Sequence, residues 1–147
     1  MFQKVLVPLD GSDLAECALP HVIRMAKEGF VKNVCILTVI DIHPSALLEG
    51  ADTTAIYKAQ TANSQEYLGK MRARFQAAGI EVTTEILQGP AAQLISEYAK
   101  EKQVELIVIA THGYSGVKRL MFGSVAFRVL HDSHVPVLLI RPDSCQV

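Results

Sequence analysis

Short apolar runs, separated by stretches in which apolar residues recur every three or four positions, set the rhythm of this chain. The runs are Val5 to Leu9, Val34 to Ile40, Glu81 to Leu87, Leu106 to Ile109 and Val135 to Ile140. All have strand length. The first, second and fourth are apolar without a break, which suits strands covered on both faces of a parallel sheet. Glu81-Val82-Thr83-Thr84-Glu85-Ile86-Leu87 alternates instead and belongs nearer an edge.

The gaps carry helical patterns. After the corner Asp10-Gly11-Ser12, the set Leu14, Ala18, Val22 and Ala26 recurs every four residues. Asp13 and Glu16 have the spacing of a capping box there, and Pro20 is expected to kink the helix. A longer helical stretch from about Ala55 to Ala78 closes on Gly79, where a C′ glycine belongs. Gly89-Pro90 opens another helix, with Leu94, Ile95, Tyr98 and Ala99 as its buried stripe. The last is expected to follow Gly123-Ser124 and to bury Val125, Val129 and Leu130. Ile42 to Asn63 is the least regular part and reads equally as a loop beside a site or as an insertion. Strand and helix alternate, which predicts one α/β domain over residues 1–147, doubly wound, with right-handed crossovers and helices on both faces of a parallel sheet.

Composition narrows the function. At 147 residues, half of them apolar, the chain is long enough for a sizeable core. A net charge of −1 and a pI near 6.5 offer no concentrated basic face, so nucleic acid and anionic membrane are not expected partners. Cys17, Cys35 and Cys145 are odd in number and widely spaced, which suggests neither a disulfide framework nor a zinc site and fits a reducing cytoplasm. The apolar amino terminus is too short for a signal peptide, and no run approaches the length of a membrane span.

Ligands of open α/β sheets bind beyond the carboxyl ends of the strands, where the strand order reverses. Two such ends carry glycine and polar residues: Pro8-Leu9-Asp10-Gly11-Ser12, and Ile109-Ala110-Thr111-His112-Gly113, the latter continued by Gly123-Ser124. Asp10 suits ribose hydroxyls or a magnesium ion, while Gly113, Gly123 and Ser124 can present N–H groups and a hydroxyl to phosphates. Asp10 also suits helix capping, in competition with Ser12 and Asp13. Lys118 and Arg119 sit in the intervening loop and read as solvated cations, and His112 reads as a structural hydrogen-bonder. Cys17 and His21 are spaced for a metal but lack further ligands. Ser12, Ser115 and Ser124 have no identifiable base, and neither the Walker pattern nor Gly-x-Gly-x-x-Gly is present. Binding is therefore expected rather than vigorous phosphoryl transfer, which needs a fixed cation at the phosphates and a positioned nucleophile.

With these residues in place, the chain resembles the universal stress protein family over essentially its whole length. Val5 to Ser12 resembles the family's opening strand and loop, and Leu37 to Asp41 the end of its second strand. Gly89-Pro90-Ala91 resembles the start of its third helix, and Val135 to Leu139 its closing strand. The nucleotide-binding branch carries Gly-x2-Gly-x9-Gly-Ser/Thr; the matching positions here are Ala110-x2-Gly113-x9-Gly123-Ser124, so alanine replaces one glycine. The resemblance implies a five-stranded parallel sheet of order 3-2-1-4-5 and a homodimer joined through Val135 to Ile140. It also implies ATP or AMP in the crevice between strands 1 and 4, with magnesium reaching Asp10 through the nucleotide. By position, Pro8, Leu9 and Asp10 would line the site, and Val39 would bind adenine through its backbone. Ile109 and Ala110 would form the adenine and ribose wall, and Gly113, Gly123, Ser124 and Val125 would hold phosphates. Such a protein would be a cytoplasmic stress-response regulator. Two other readings stay open: a dimeric interaction module of the same fold that binds no nucleotide, and a nucleotide hydrolase or adenylating enzyme.

Overall fold

The structure, a computed structural model, describes residues 1–42, 45, 50, 52–111 and 121–142, with the backbone alone for 121 and 122. The chain runs β1 (Phe2–Pro8), a 3-10 turn (Ala15–Cys17), α1 (Ala18–Lys27), β2 (Val31–Ile40), α2 (Thr53–Ala77), β3 (Val82–Gln88), α3 (Ala91–Glu101), β4 (Leu106–Ala110), α4 (Met121–Asp132) and β5 (Val137–Ile140). All pairings are parallel and the sheet order is β3-β2-β1-β4-β5. Val5 on the central strand stands opposite both Val34 and Leu106.

Sequence pattern and burial agree on which strands are central. Every residue of β4 is buried, as are Val5 to Leu9, whereas β3 lies at one edge with Thr83 and Thr84 exposed. β1 connects leftward to β2 and on to β3, then the chain crosses back to β4, so right-handed crossovers place α1 and α2 on one face and α3 and α4 on the other. Side chains support this division. Glu16 beside α1 pairs with Arg74 of α2 at 3.1 Å, while Cys35 of β2 meets Tyr98 of α3 at 3.5 Å. α2 is seated by Leu68, Met71 and Phe75, its buried residues, all in its C-terminal half. Gly79, at φ +78°, follows its end as expected, and Ile80 N–H reaches back to the Phe75 carbonyl at 2.9 Å.

Several local expectations are corrected. Pro20 lies in the first turn of α1, where its missing N–H has no intrahelical partner to lose, so it marks a helix start rather than a kink. The Asp13–Glu16 box does not form: Ser12 Oγ accepts the Ala15 N–H at 3.2 Å, and Glu16 turns instead to Tyr67 and Arg74. Residues 53–63 are helical, because Asp52 caps α2 by accepting from the N–H groups of Thr54 and Ala55 at 3.1 and 3.4 Å. α4 begins two residues before Gly123, and its buried row is Gly123, Ala126 and Val129. Leu130 falls off that row and is 45% exposed.

Candidate functional site

The order of the sheet reverses between β1 and β4, and beside that point the ends of β1 and β2 are built as polar corners. Leu9 N–H still bonds to the Leu37 carbonyl at 2.8 Å; the chain then turns through Gly11, whose φ of +86° suits glycine. Asp10 is fixed by that turn. Its Oδ1 accepts from the Ser12 N–H at 2.9 Å and from the Ser12 hydroxyl at 2.6 Å, an Asx arrangement that leaves Oδ2 outside these bonds. At the end of β2, Asp41 reaches across the sheet edge, where its Oδ2 accepts from the N–H of Ala91, the first residue of α3, at 3.2 Å. Gly89 N–H bonds to the Ile40 carbonyl at 3.0 Å, and a Cβ there would lie 2.9 Å from Leu94 Cδ1.

These corners open on a crevice of about 480 Å³. β1 contributes Pro8, Leu9 and Asp10, and β2 contributes Leu37, Thr38, Val39, Ile40 and Asp41. The α2 side supplies Gln60, Asn63 and Ser64; Ala91 and Ile95 come from α3 and Val125 from α4. The walls are thus apolar on the β2, α3 and α4 sides and neutral polar on the α2 side. Among the described residues the lining has two carboxylates and no cation. Thr38 is 7% exposed, and its Oγ1 is buried without a hydrogen-bond partner among the described residues.

Nearby, the Tyr67 hydroxyl donates to Glu16 Oε2 at 3.3 Å while Glu16 Oε1 holds Arg74. Burial first, then the negative charges of Glu16 and Asp10, push the Tyr67 phenol above its ordinary range, so it stays a donor. This clamp fixes α2 against the start of α1 and so sets where the Gln60, Asn63 and Ser64 face stands.

Of the residues singled out from sequence, Pro8, Leu9, Asp10, Val39 and Val125 come together in the crevice. Ile109 and Ala110 end β4 at 0% and 1% exposure and pack into the core beside it. Among the described residues other than glycine, Gln103 has a positive φ and Ala110 does not, so alanine sits at this motif position in ordinary strand geometry. Gly123 is buried and Ser124 exposed, both within the first turn of α4. Gly113, with His112, Ser115, Lys118, Arg119 and Cys145, lies outside the described residues. Thr38, Ile40, Gln60, Asn63, Ser64, Ala91 and Ile95 were not singled out as site residues. Asp41 appeared only as a strand end.

The chain matches the model of the universal stress protein family over residues 1–141. Universal stress protein MJ0531 of Methanocaldococcus jannaschii is 35% identical over 142 residues, covering 96% of this chain and 83% of that protein. YxiE of Bacillus subtilis is 32% identical over 152 residues, covering 96% and 100%. The solved structure of MJ0577, also from M. jannaschii, is similar with a TM-score of 0.78 and 27% identity over 96% of each chain. A universal stress protein from Archaeoglobus fulgidus in complex with dAMP shares the fold, with a TM-score of 0.66 and 22% identity over 94% of this chain and 97% of that one. By sequence and by fold, the chain belongs to the universal stress protein family.

Proposed function

We propose that the crevice binds an adenine nucleotide, ATP or AMP, and that the protein acts as a regulatory dimer. One observation carries this reading: a 480 Å³ crevice beside the point where the sheet order reverses, apolar along Leu9, Val39, Ile95 and Val125 and polar at Asp10. That size and that mixture suit a small ligand with a flat apolar part and a polar remainder. The A. fulgidus relative in complex with dAMP adds a precedent within the fold. In this reading Asp10 meets the ribose and Val39 offers its backbone to the base. Gly113, Gly123 and Ser124 hold the phosphates, while Ile109 and Ala110 back the site from the core. No cluster of three or more His, Cys, Asp or Glu that could hold a metal lies among the described residues. Magnesium would therefore arrive with the nucleotide and use the free side of Asp10. β5 is an edge strand, and Leu138 on it is 38% exposed, which supports pairing with a second copy. Hydrolysis is slow at most in this reading, with the protein working in the cytoplasm. No helix among the described residues is long and apolar enough to cross a membrane.

The acid-only lining of the described crevice favours a second reading, an interaction module with no nucleotide. Denaturing freshly purified protein and separating the released small molecules distinguishes the two, together with calorimetric titration of ATP and AMP. Adenine nucleotide in the released fraction, or saturable binding, supports the first. No nucleotide and no heat at millimolar ligand overturns it.

A further inference from the structure

We propose that Asp41 reads the nucleobase, its second carboxylate oxygen accepting a hydrogen bond from an exocyclic amino group of the kind adenine carries; this rests on the nucleotide reading above. The carboxylate is both held and open. Its Oδ2 is fixed on the Ala91 N–H at 3.2 Å, whereas its Oδ1 accepts no hydrogen bond among the described residues, and the residue is exposed where it lines the crevice. A charge-assisted bond to a backbone amide anchors one oxygen, and the other is left facing outward from that anchor.

The surroundings select a ring. Cys35 meets Tyr98 on the α3 face of the sheet, and side chains alternate along β2, so Leu37 and Val39 project to that same face, where Ala91 and Ile95 of α3 and Val125 of α4 also line the crevice. Asp41 joins this group through its bond to Ala91, the first residue of α3. Val39, Ala91 and Val125 are each partly exposed and so within reach of an occupant, while Leu37 and Ile95 close the floor at 0% and 2% exposure. An apolar slot that ends in one acceptor suits a heteroaromatic ring with an amino group at its rim. A ribose placed there would leave hydroxyls unmet against these side chains. An ionised carboxylate only accepts, so it favours a donor and gives nothing to an oxo group.

The test titrates the full chain calorimetrically with AMP, with purine riboside monophosphate, which lacks the amino group, and with IMP, which carries an oxo group in its place. Wild type should bind AMP roughly five- to tenfold more tightly than purine riboside monophosphate, the ratio that one hydrogen bond commands. Asp41→Asn spares the contact to α3, because the amide oxygen still accepts from the Ala91 N–H, and it turns an NH2 donor towards the ligand. The AMP-to-IMP affinity ratio should then fall roughly tenfold. Taking a ratio cancels the charge lost from the crevice, which acts on both nucleotides alike. Equal binding of AMP and purine riboside monophosphate by wild type overturns the subsite alone, as does an AMP-to-IMP ratio unchanged in Asp41→Asn. Wild-type protein that binds none of the three overturns the nucleotide reading and the subsite with it.

Discussion

Ala110 occupies the motif position where nucleotide-binding relatives are expected to carry glycine, and replacing it by glycine separates a steric from a structural role. The residue closes β4, stands opposite Ile140 of β5 and is 1% exposed, without positive φ. Ala110→Gly therefore removes one fully buried methyl, worth about 0.8 kcal/mol, and adds backbone freedom to a strand, worth about 0.5–1 kcal/mol. The expected destabilisation is about 1–2 kcal/mol, with a fall in Tm of roughly 2–8 °C for a chain of this size. The urea midpoint should fall by about 0.5–1 M with m unchanged. Because the chain has no tryptophan, far-UV circular dichroism is the natural probe. AMP affinity, measured in parallel, should not improve, since the alanine methyl packs into the core. A variant as stable as wild type, or one that binds AMP several-fold more tightly, would refute the assignment of Ala110 to the core and return it to the crevice wall.

Phe75→Ala should cost about 3–5 kcal/mol in equilibrium urea unfolding, because Phe75 is fully buried and one of the side chains that seat α2; a loss below about 1 kcal/mol would mean that α2 is not anchored as described. Burial is the main cause that raises the phenols of Tyr67 and Tyr98, with Glu16 reinforcing it at Tyr67 and Cys35 at Tyr98. The unfolded chain therefore releases these protons first, near pH 10. Their stabilisation is complete below that pH and falls as pH rises through the alkaline range. Tyr67→Phe or Tyr98→Phe should flatten the alkaline slope, and a slope identical to wild type would contradict the burial described. Leu138→Lys places a charge on the β5 edge and should convert a dimer to monomer in light scattering, with no change in the circular dichroism spectrum; a wild-type monomer at micromolar concentration would remove the proposed interface.

The sheet was legible because its signals are local. Continuous apolar runs at Val5 to Leu9 and Leu106 to Ile109, against the alternation from Glu81 to Leu87, already separate central strands from an edge. The start of α2 was less legible. Its polar N-terminal half carries little periodicity, and a lone Asp52 ahead of Thr53 and Thr54 is a weak start signal without an apolar stripe behind it. The misplaced Leu130 follows from the same kind of ambiguity, since one residue along a helix rotates a side chain by about 100°. Asp10 and Val39 could be named because each lies near the carboxyl end of a strand, at a glycine-marked or family-like corner. Gln60, Asn63 and Ser64 could not, because three polar residues on a mostly polar helix look like a solvated face until the fold lays α2 beside β2. Thr38 is a threonine in an apolar strand, and only its missing partner distinguishes it.

Asp41 has a consequence for the way a charged ligand would lie. The first amide of α3 is already met by a carboxylate tethered to the neighbouring strand, at an effective concentration on the order of millimolar or more. A diffusing anion would have to displace that internal competitor and would then face its charge, whereas an uncharged group meets no such rival. The crevice is thereby polarised along the sheet edge, unfavourable to negative charge beside α3, so a nucleotide bound as proposed would carry its phosphates away from that end.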